Sequence, residues 1–331
     1  GKSMQEFAYW QNMPKLQKQL EKVQQIILNN VRPAKGQLGK ALKYNFAIPG
    51  KELRPAFVIL FGQMGQNKRK KALLNIASSV EILHNATLIH DDIIDESSTR
   101  RGRSSIQAKF GKHIALYAGD YLFALSLQLL SNNTSKINNM RIDAHAMQEI
   151  LSGETAQYGN EYNTNISEKE YLEQIKGKTG ILFGYSCFIG AIEGGLSYTL
   201  SKKAQRVGIL IGEAFQLRDD ILDYTASSNQ FKKPVLLDVV NGVYTGPLIF
   251  ALKNDPSHEL IKLVKVGKKL TPEQLKQIDR LVAKLGGIKY AQGLADNFTK
   301  EAINILNKEF KGYISTPTII SLVKRMLKRE Y

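Results

Sequence analysis

Apolar residues recur with helical spacing along almost the entire chain. The longest such run, residues 68–95, contains neither glycine nor proline. The residues on its predicted buried face are Leu73, Ile76, Ala77, Val80, Leu83, Ala86, Thr87 and Ile94. Similar patterns cover residues 136–158, 200–224, 271–284 and 288–311, whereas alternating strand patterns are few. The spacing therefore predicts an all-α fold built from long amphipathic helices.

Helix-end residues divide this pattern without separating it into domains. Ser201, and Thr271 followed by Pro272, are predicted to begin helices. The predicted loops are 30–36, 47–52, 96–104, 159–167, 225–236 and 312–317. None is long enough to be an interdomain linker. We therefore expect one domain over residues 1–331, in which residues 1–3, before Met4, are a cloning remnant without functional meaning.

Composition limits the environment and the class of partner. The single cysteine, Cys187, excludes an intrachain disulfide and favours a reducing compartment, which we expect to be the cytoplasm. No run of 18 apolar residues predicts a membrane span. Lys and Arg number 46 against 30 Asp and Glu, which gives a net charge of +16. This charge fits nucleic acid, anionic lipid or a phosphorylated substrate, although a lysine-rich surface alone would also produce it.

Two aspartate clusters of identical spacing are the main chemical feature. The first contains Asp91, Asp92 and Asp95, and the second contains Asp219, Asp220 and Asp223. Positions i, i+1 and i+4 fall within an arc of about 100° on a helix, so the three carboxylates share a face. The helix dipole and like-charge repulsion disfavour them at a helix C-terminus. Mg²⁺, which prefers carboxylate, phosphate and water oxygens, would offset this cost; a solvated acidic helix end is the alternative for either cluster.

Basic residues accompany the clusters. They are Lys51, Arg54, His84, Arg100, Arg101, Lys178 (next to Thr179) and Lys233. His84 lies seven residues before Asp91, two helical turns away and on the same face. Each residue alone would be unremarkable at a surface. Together with the aspartates they favour a phosphate-ester substrate, whose charge Mg²⁺ and cationic side chains would neutralise.

The order of these elements resembles that of the trans-isoprenyl (polyprenyl) diphosphate synthases, of the medium- or long-chain type such as geranylgeranyl or heptaprenyl diphosphate synthase. The matching segments are Gly50-Lys51-Glu52-Leu53-Arg54-Pro55, Glu81-Ile82-Leu83-His84, Asp91-Asp92-Ile93-Ile94-Asp95, Arg100-Arg101-Gly102, Lys178-Thr179, Phe215-Gln216-Leu217-Arg218-Asp219-Asp220-Ile221-Leu222-Asp223, and Lys233-Pro234 with Asp238. The resemblance runs from Gly50 to about Pro247. It implies a single-domain isoprenoid-synthase helical bundle, in which the two aspartate motifs face each other across a central cavity.

The resemblance also implies the reaction and the residue roles. Isopentenyl diphosphate would be condensed with an allylic diphosphate, either farnesyl or geranyl diphosphate, with about three Mg²⁺ ions bound by the six aspartates. Lys51, Arg54, His84 and Arg101 would hold isopentenyl diphosphate, while Arg100, Lys178 and Lys233 would hold the allylic diphosphate. Thr179 and Gln216 would line the reacting centre. The implied catalytic residues are Asp91, Asp92, Asp95, Arg100, Lys178, Asp219 and Asp220.

Product length is predicted from the helix that carries the first motif. In the family, short-chain enzymes tend to carry an aromatic residue four or five positions before that motif. Those positions are the small residues Thr87 and Ala86, with Leu83 and Val80 deeper; Phe123, on a neighbouring helix, could still block the cavity. We therefore expect a product longer than farnesyl diphosphate.

The alternatives share parts of this chemistry. A class I terpene cyclase would not need the second diphosphate site that Lys51, Arg54 and His84 indicate. A non-catalytic subunit of a heterodimeric synthase tends to lose one aspartate cluster, and both are present here. We expect a homodimer, or a heterodimer with a small subunit, no nucleic-acid partner, and at most weak association with a membrane surface.

Three residues after the second motif depart from the family pattern. Lys232 and Leu236 stand where glycine is common, and Gly246 replaces the usual leucine before Pro247. No expected ligand is lost by these changes.

Overall fold

The structure, a computed structural model, describes residues 8–225 and 236–328. Its helices are α1 (Pro14–Val31), α2 (Gly36–Phe46), α3 (Leu53–Gly62), α4 (Lys70–Ile94), α5 (Ile106–Phe110), α6 (Lys112–Asn133), α7 (Ile137–Glu154), α8 (Glu168–Ile175), α9 (Ile181–Gly194), α10 (Tyr198–Thr225), α11 (Leu237–Val240), α12 (Gly246–Leu252), α13 (Glu259–Val264), α14 (Pro272–Lys284), α15 (Gly287–Glu309) and α16 (Thr316–Met326). Short 3₁₀ turns cover Ala8–Trp10 and Gly267–Lys269, and Lys176–Gly180 is a π-helical turn. The strands in the described ranges are β1 (Thr99–Arg100) and β2 (Arg103–Ser104). The all-α prediction is confirmed.

The chain divides into two compact units. Unit 1 comprises Gly1–Ala146, Tyr185–Ala204 and Tyr313–Ser315, and unit 2 comprises Met147–Gly184, Gln205–Gly312 and Thr316–Tyr331. The first aspartate motif lies in unit 1 and the second in unit 2. The single domain over residues 1–331 stays a prediction.

Unit 1 is built around α4, which packs along α6 and also against α1 and α3. Every residue of α3 except Arg54 is buried, so this short apolar helix lies inside the unit. Helices α4 and α6 are long and apolar enough to span a membrane by composition, yet 67% of the apolar window of α4 is buried inside the protein. Burial of this kind is typical of the core helices of a globular unit.

Unit 2 has its own apolar core, in which α12 packs against α15, α14 and α8. Phe250 of α12 makes edge-to-face contacts with Tyr171, at 5.8 Å between ring centroids, and with Tyr290, at 4.6 Å. Aromatic pairs favour this geometry because the positive ring edge meets the negative face. The contacts join α12 to α8 and α15.

The helix ends partly follow the predictions. Thr271 caps α14 through a full capping box with Gln274, and Pro272 occupies the first turn, as predicted. The cap predicted at Ser201 is wrong, because α10 already begins at Tyr198 and the Ser197 hydroxyl accepts from the Leu200 N–H at 3.1 Å. The helix predicted over 136–158 ends earlier, at Glu154, and the predicted loop 96–104 contains the β1–β2 hairpin.

Candidate active site

The first aspartate motif forms the C-terminal end of α4. Asp92 is buried, with 6% of its surface exposed, whereas Asp91 is half-buried and Asp95 is exposed. Asp95 is the C-cap residue, and its N–H donates to the Asp91 carbonyl at 2.8 Å. The motif therefore presents one inner carboxylate and two outer ones, at the negative end of the helix dipole.

Arg100 holds the inner carboxylate of this motif. Its Nε donates to Asp92 Oδ2 at 3.0 Å and its Nη2 donates to Oδ1 at 2.7 Å, which is a bidentate ion pair. The β1–β2 hairpin brings Arg100 back to α4. Its turn residues Arg101 and Gly102 have φ of 54° and 74°, the left-handed conformations that a two-residue hairpin turn requires.

A cluster of cations surrounds His84, seven residues before Asp91. Burial lowers the pKa of His84 well below its ordinary value, and the nearby Arg54, Arg101 and Arg100 lower this pKa further. The imidazole is therefore neutral near pH 7, because protonation would add a charge to a desolvated, already cationic site. The structure thus brings His84, Arg54 and Arg101 together, whereas the side chain of Lys51 is exposed.

Two buried glutamates lie within the same cluster. Burial raises the pKa of both Glu52 and Glu81, and their mutual repulsion raises that of Glu52 further. Arg101 opposes the shift at both residues. Asn85 Nδ2 donates to Glu81 Oε1 at 3.1 Å, whereas neither carboxylate oxygen of Glu52 has a hydrogen-bond partner among the described residues. Burial thus favours the uncharged form of these two acids, and the positive charge of Arg101 opposes that preference.

The second motif, at the end of α10, repeats the division of the first. Asp220 is buried, with 6% of its surface exposed, and Asp219 and Asp223 are exposed. The Tyr171 hydroxyl donates a very short hydrogen bond to Asp220 Oδ2, and Gln216 Nε2 donates to Oδ1 at 3.0 Å. Here two neutral donors take the place that an arginine takes at Asp92.

Thr179 extends this network by one more bond. Its hydroxyl donates to Gln216 Oε1 at 2.7 Å, which orients the amide so that its nitrogen faces Asp220. Thr179 and Lys178 belong to the π-helical turn Lys176–Gly180, in which the Ile181 N–H donates to the Lys176 carbonyl. Lone π-helical turns often occur at functional sites. The predicted proximity of Thr179 and Gln216 is thus present within unit 2.

Burial and the neighbouring donors shift the pKa of Asp220 in opposite directions. Burial raises its pKa to about 7, although the Tyr171 and Gln216 hydrogen bonds and the positive charge of Lys178 all lower it. Lys178 also lowers the pKa of Asp238, which burial raises. Lys178 therefore lies near both carboxylates, where it would also meet an anionic substrate.

Gly246, the departure noted before Pro247, packs against Tyr171. A Cβ at this position would lie 2.9 Å from Cε2, Cζ and the hydroxyl oxygen of the Tyr171 ring. Such a distance is shorter than real Cβ contacts, so a leucine here would displace Tyr171. The glycine therefore allows Tyr171 to reach Asp220.

The outer carboxylates fit Mg²⁺ as donors. Within residues 8–225 and 236–328, no three His, Cys, Asp or Glu side chains form a ready-made metal cage. Mg²⁺ does not need one, because it usually takes one or two carboxylates and completes its shell with phosphate oxygens and water. Asp92 and Asp220 are buried, whereas the outer aspartates are more exposed and could offer carboxylate oxygens to an ion.

The remaining predicted residues have mixed positions. Lys233 lies outside the described residues. Val80, Leu83, Ala86 and Thr87, the predicted chain-length residues of α4, are all buried. Phe123 lies on α6, which packs on α4, and its ring is 5.4 Å from that of His90. Their role in product length stays a prediction.

Three residues with clear contacts at the site were missed from the sequence. Tyr171 lies seven residues before Lys178, and this two-turn spacing could have placed it on the same helical face. Glu52 lay inside a recognised segment but carried no predicted role. Trp10, the chain's one tryptophan, donates from Nε1 to the Lys51 carbonyl at 2.9 Å.

Comparison with known proteins identifies the family of the chain. Residues 35–282 match the family model described as Polyprenyl synthetase. The chain is 34% identical to heptaprenyl diphosphate synthase component 2 of Bacillus subtilis over 85% of its own length and 80% of that protein. It is 32% identical to geranylgeranyl diphosphate synthase of Methanosarcina mazei, over 89% of this chain and 90% of that one.

Solved structures agree with these relatives. A geranylgeranyl pyrophosphate synthase from Lactobacillus brevis superposes with a TM-score of 0.91 at 33% identity, over 98% of this chain and 100% of that one. Heptaprenyl diphosphate synthase from Staphylococcus aureus gives a TM-score of 0.88 at 27% identity, over 96% and 99% of the two chains. With both aspartate motifs and their supporting residues in place, the chain belongs to the polyprenyl synthetase family of prenyltransferases.

Proposed function

We propose that this protein condenses isopentenyl diphosphate with an allylic diphosphate, primed by farnesyl or geranyl diphosphate, to give geranylgeranyl or a longer polyprenyl diphosphate. The observation that carries the proposal is the common construction of the two motifs. In each, a buried central aspartate is fixed by protein donors while the first and last aspartates lie further out. A fixed inner carboxylate holds the end of its helix in place, and with it the backbone that carries the outer aspartates, before the substrate arrives.

The residues divide the work between two diphosphates. Lys51, Arg54 and Arg101 neutralise isopentenyl diphosphate, and the neutral His84 imidazole offers it a hydrogen-bond donor without adding charge. Arg100, Lys178 and Lys233 would neutralise the allylic diphosphate. Mg²⁺, when bound, stabilises the negative charge that builds on the departing diphosphate.

The reacting carbon requires a dry, apolar environment. An allylic cation would be captured by water, so buried side chains around the growing chain favour attack by the isopentenyl double bond instead. No side-chain base is proposed, since the released diphosphate can accept the final proton. Thr179 and Gln216 line the reacting centre, and their hydrogen bonds fix the orientation of the Asp220 carboxylate.

A cyclase or an inactive subunit is not favoured. A cyclase uses one diphosphate, and it gives no reason for the Lys51, Arg54 and His84 group. An inactive subunit gives no reason for two complete aspartate motifs. The relatives named above are prenyl diphosphate synthases.

Product length and assembly follow from the relatives and from α4. Named relatives range from geranylgeranyl to solanesyl and decaprenyl diphosphate synthases, and no aromatic residue occupies position 86 or 87 here. We propose a product longer than farnesyl diphosphate. We propose that the chain works as a homodimer or, because two relatives are called component 2, as a heterodimer with a small second subunit. We further propose that it works in the cytoplasm, with at most weak membrane-surface contact.

One assay tests the reaction, the metal and the product together. The pure chain is incubated with Mg²⁺, farnesyl diphosphate and labelled isopentenyl diphosphate, with a chelator in a parallel sample. We expect a chelator-sensitive ladder of products longer than farnesyl. Folded protein that incorporates no label with any allylic primer, even after addition of a cell extract that could supply a partner subunit, would overturn the proposal.

A further inference from the structure

The N-terminal segment contacts the loop that carries Lys51. Trp10 is fully buried, and its Nε1–H donates to the Lys51 carbonyl across 41 residues of sequence at 2.9 Å. The ring of the adjacent Tyr9 lies 5.3 Å from Lys51 Nζ, within the range of a cation–π contact. Tyr9 and Trp10 also contact each other edge to face, with ring centroids 5.0 Å apart. The two aromatic residues thus touch both the backbone and the side chain of one lysine.

The backbone at this point is held in an unfavourable conformation. Glu52 has φ of 57°, in the left-handed region that a glutamate seldom adopts. The Lys51 carbonyl belongs to the peptide unit that leads into Glu52, so any rotation of that unit would break the bond from Trp10. Strained residues persist only where their surroundings hold them, and such residues concentrate at functional sites.

This conformation sends two neighbouring side chains in different directions. Glu52 is 3% exposed and lies in the buried cluster near Glu81 and Arg101. Lys51 is exposed and lies over Tyr9. A relaxed backbone at Glu52 would move both side chains, since they flank the peptide unit that Trp10 holds.

We infer that Tyr9 and Trp10 position Lys51, and so set the affinity of the isopentenyl diphosphate site. Trp10 fixes the Lys51–Glu52 peptide, and Tyr9 limits the positions of the Lys51 ammonium group. This inference rests on the proposed function, in which Lys51 binds that diphosphate. The two aromatics are positioning residues, because they reach the substrate only through Lys51.

The first test is steady-state kinetics of Trp10→Phe, which keeps a buried ring and removes the N–H donor. The KM for isopentenyl diphosphate should rise by roughly three- to ten-fold, the effect of one lost hydrogen bond. The KM for farnesyl diphosphate and kcat should each change by less than about two-fold, because only one substrate site is altered. Equal changes in both KM values, or no change in either, would refute the inference.

Two further variants separate positioning from general loss of stability. Ser315→Ala removes another buried side-chain donor to a distant backbone carbonyl of unit 1, that of Leu60. It should lower stability and leave the KM for isopentenyl diphosphate unchanged. Tyr9→Leu keeps the Trp10 N–H donor and removes the ring beside Lys51, together with its edge contact to Trp10. It should raise the same KM by a smaller factor, so the inference is still tested if Trp10→Phe fails to fold.

A binding measurement distinguishes failure of the inference from failure of the proposed reaction. Because Trp10 is the one tryptophan, the tryptophan fluorescence of the chain reports on the surroundings of this residue. Inorganic diphosphate, without metal, should change the emission of the wild-type chain in a saturable way, and Lys51→Ala should weaken that response. An active wild-type enzyme without this response overturns the inference alone. If the chain is inactive but shows this response, the proposed reaction is wrong, whereas the link between Trp10 and the anion site still holds.

Discussion

Asp92 and Asp220 occupy the same place in two identical motifs, yet the protein holds them by different chemistry. Asp92 is paired with the cation of Arg100, which keeps a compensating charge beside it. Among the described residues, the donors that contact Asp220 directly are the neutral groups of Tyr171 and Gln216. The charged form of a buried carboxylate with neutral partners depends more strongly on an added cation. Loss of a hydrogen-bond donor should therefore weaken Mg²⁺ binding more at the second motif than at the first.

Replacing Tyr171 with Phe tests this dependence. The variant removes the hydroxyl that donates to Asp220, and loss of a hydrogen bond to a charged group costs about 1.5–3 kcal/mol of stability. We expect the Mg²⁺ concentration for half-maximal activity to rise several-fold and kcat to fall, as measured by the incorporation assay across a Mg²⁺ titration.

Tyr185→Phe is the matched control for that variant. Tyr185 is likewise buried and likewise donates to a buried aspartate, Asp143, at 2.8 Å, but Asp143 belongs to neither motif. It should lose similar stability without a shift in the Mg²⁺ requirement. If both variants shift that requirement equally, Tyr171 has no special role at Asp220.

Residue patterns predicted the charged groups of the site much better than their supports. The six aspartates and the arginines could be predicted from spacing and motif order, because they lie in short segments of neighbouring residues. Tyr171 and Asp220 are 49 residues apart, and Trp10 and Lys51 are 41 apart. Such contacts depend on how helices pack, which local spacing does not encode.

A buried carboxylate ties three helices together in unit 1. Asp143 of α7 accepts from Tyr185 of α9, and its Oδ2 lies 3.0 Å from the hydroxyl of Thr134, the residue that caps α6. That hydroxyl has one proton and also lies 2.5 Å from the Leu130 carbonyl. If the hydroxyl proton goes to Leu130, Asp143 must donate to Thr134, which suits a protonated carboxyl. Burial raises the pKa of Asp143 from 3.8 to about 6.

The raised pKa of Asp143 has a defined effect on stability. The folded state binds the proton more tightly than the unfolded state, so wild-type stability should fall as pH rises from about 4 to about 6. Asp143→Asn mimics the protonated form and should show a smaller fall, gaining about 3 kcal/mol over wild type at pH 8. Urea unfolding of both proteins at pH 4, 6 and 8 measures this difference in stability. Glu301→Gln, at a half-exposed ion pair, should leave the pH dependence unchanged, and a parallel wild-type and Asp143→Asn profile would contradict the assignment.

Helix α4 also carries the prediction on product length. Ala86 is fully buried, five residues before Asp91, and Phe at this position should fill the space beside the growing chain. We expect Ala86→Phe to shorten the product, sized by chromatography after extraction.

The control for Ala86→Phe is Ala302→Phe, at an equally buried alanine of α15. Both changes overpack a core and should cost about 1–3 kcal/mol, so circular dichroism must first show that each variant folds. Shortening only by Ala86→Phe is expected. An unchanged product from a folded Ala86→Phe chain would remove α4 from length control.

Helix positions were predictable to within a few residues where apolar periodicity is long, as for α4, predicted at 68–95 and found at Lys70–Ile94. Ends set by capping were less predictable. Ser201 and Ser197 are both suitable caps, and the choice falls on Ser197 because Ser201 is buried inside the first turns of α10. The β1–β2 hairpin was missed since two-residue strands leave no periodic pattern.

At the scale of the whole molecule, ligand binding should be visible as added stability. Whatever binds only the folded chain stabilises it, by about 2.7 kcal/mol at a hundredfold excess over Kd. We expect Mg²⁺ together with inorganic diphosphate to raise the apparent Tm by several degrees, more than either alone, and a chelator to cancel the metal-dependent part. Differential scanning fluorimetry or calorimetry measures the shift.

Variants of the outer aspartates connect that shift to the motifs. Asp219→Asn and Asp91→Asn should each reduce the metal-dependent part of the Tm increase, because one carboxylate ligand is weakened. Glu301→Gln, at the surface of unit 2, should not. An undiminished shift in both aspartate variants would mean that the stabilising Mg²⁺ binds elsewhere.

The π-helical turn at Lys176–Gly180 makes the number of residues in this helical segment important for the site. A π turn holds one residue more than an α turn, because its hydrogen bond spans five residues instead of four. Deleting a single residue there would restore a regular α-helix and rotate everything on one side of the deletion by about 100° relative to the other. Thr179 could then no longer meet Gln216 while Tyr171 meets Asp220. Such a deletion would improve the local helix and disconnect the second motif, so the most regular version of this segment is also the inactive one.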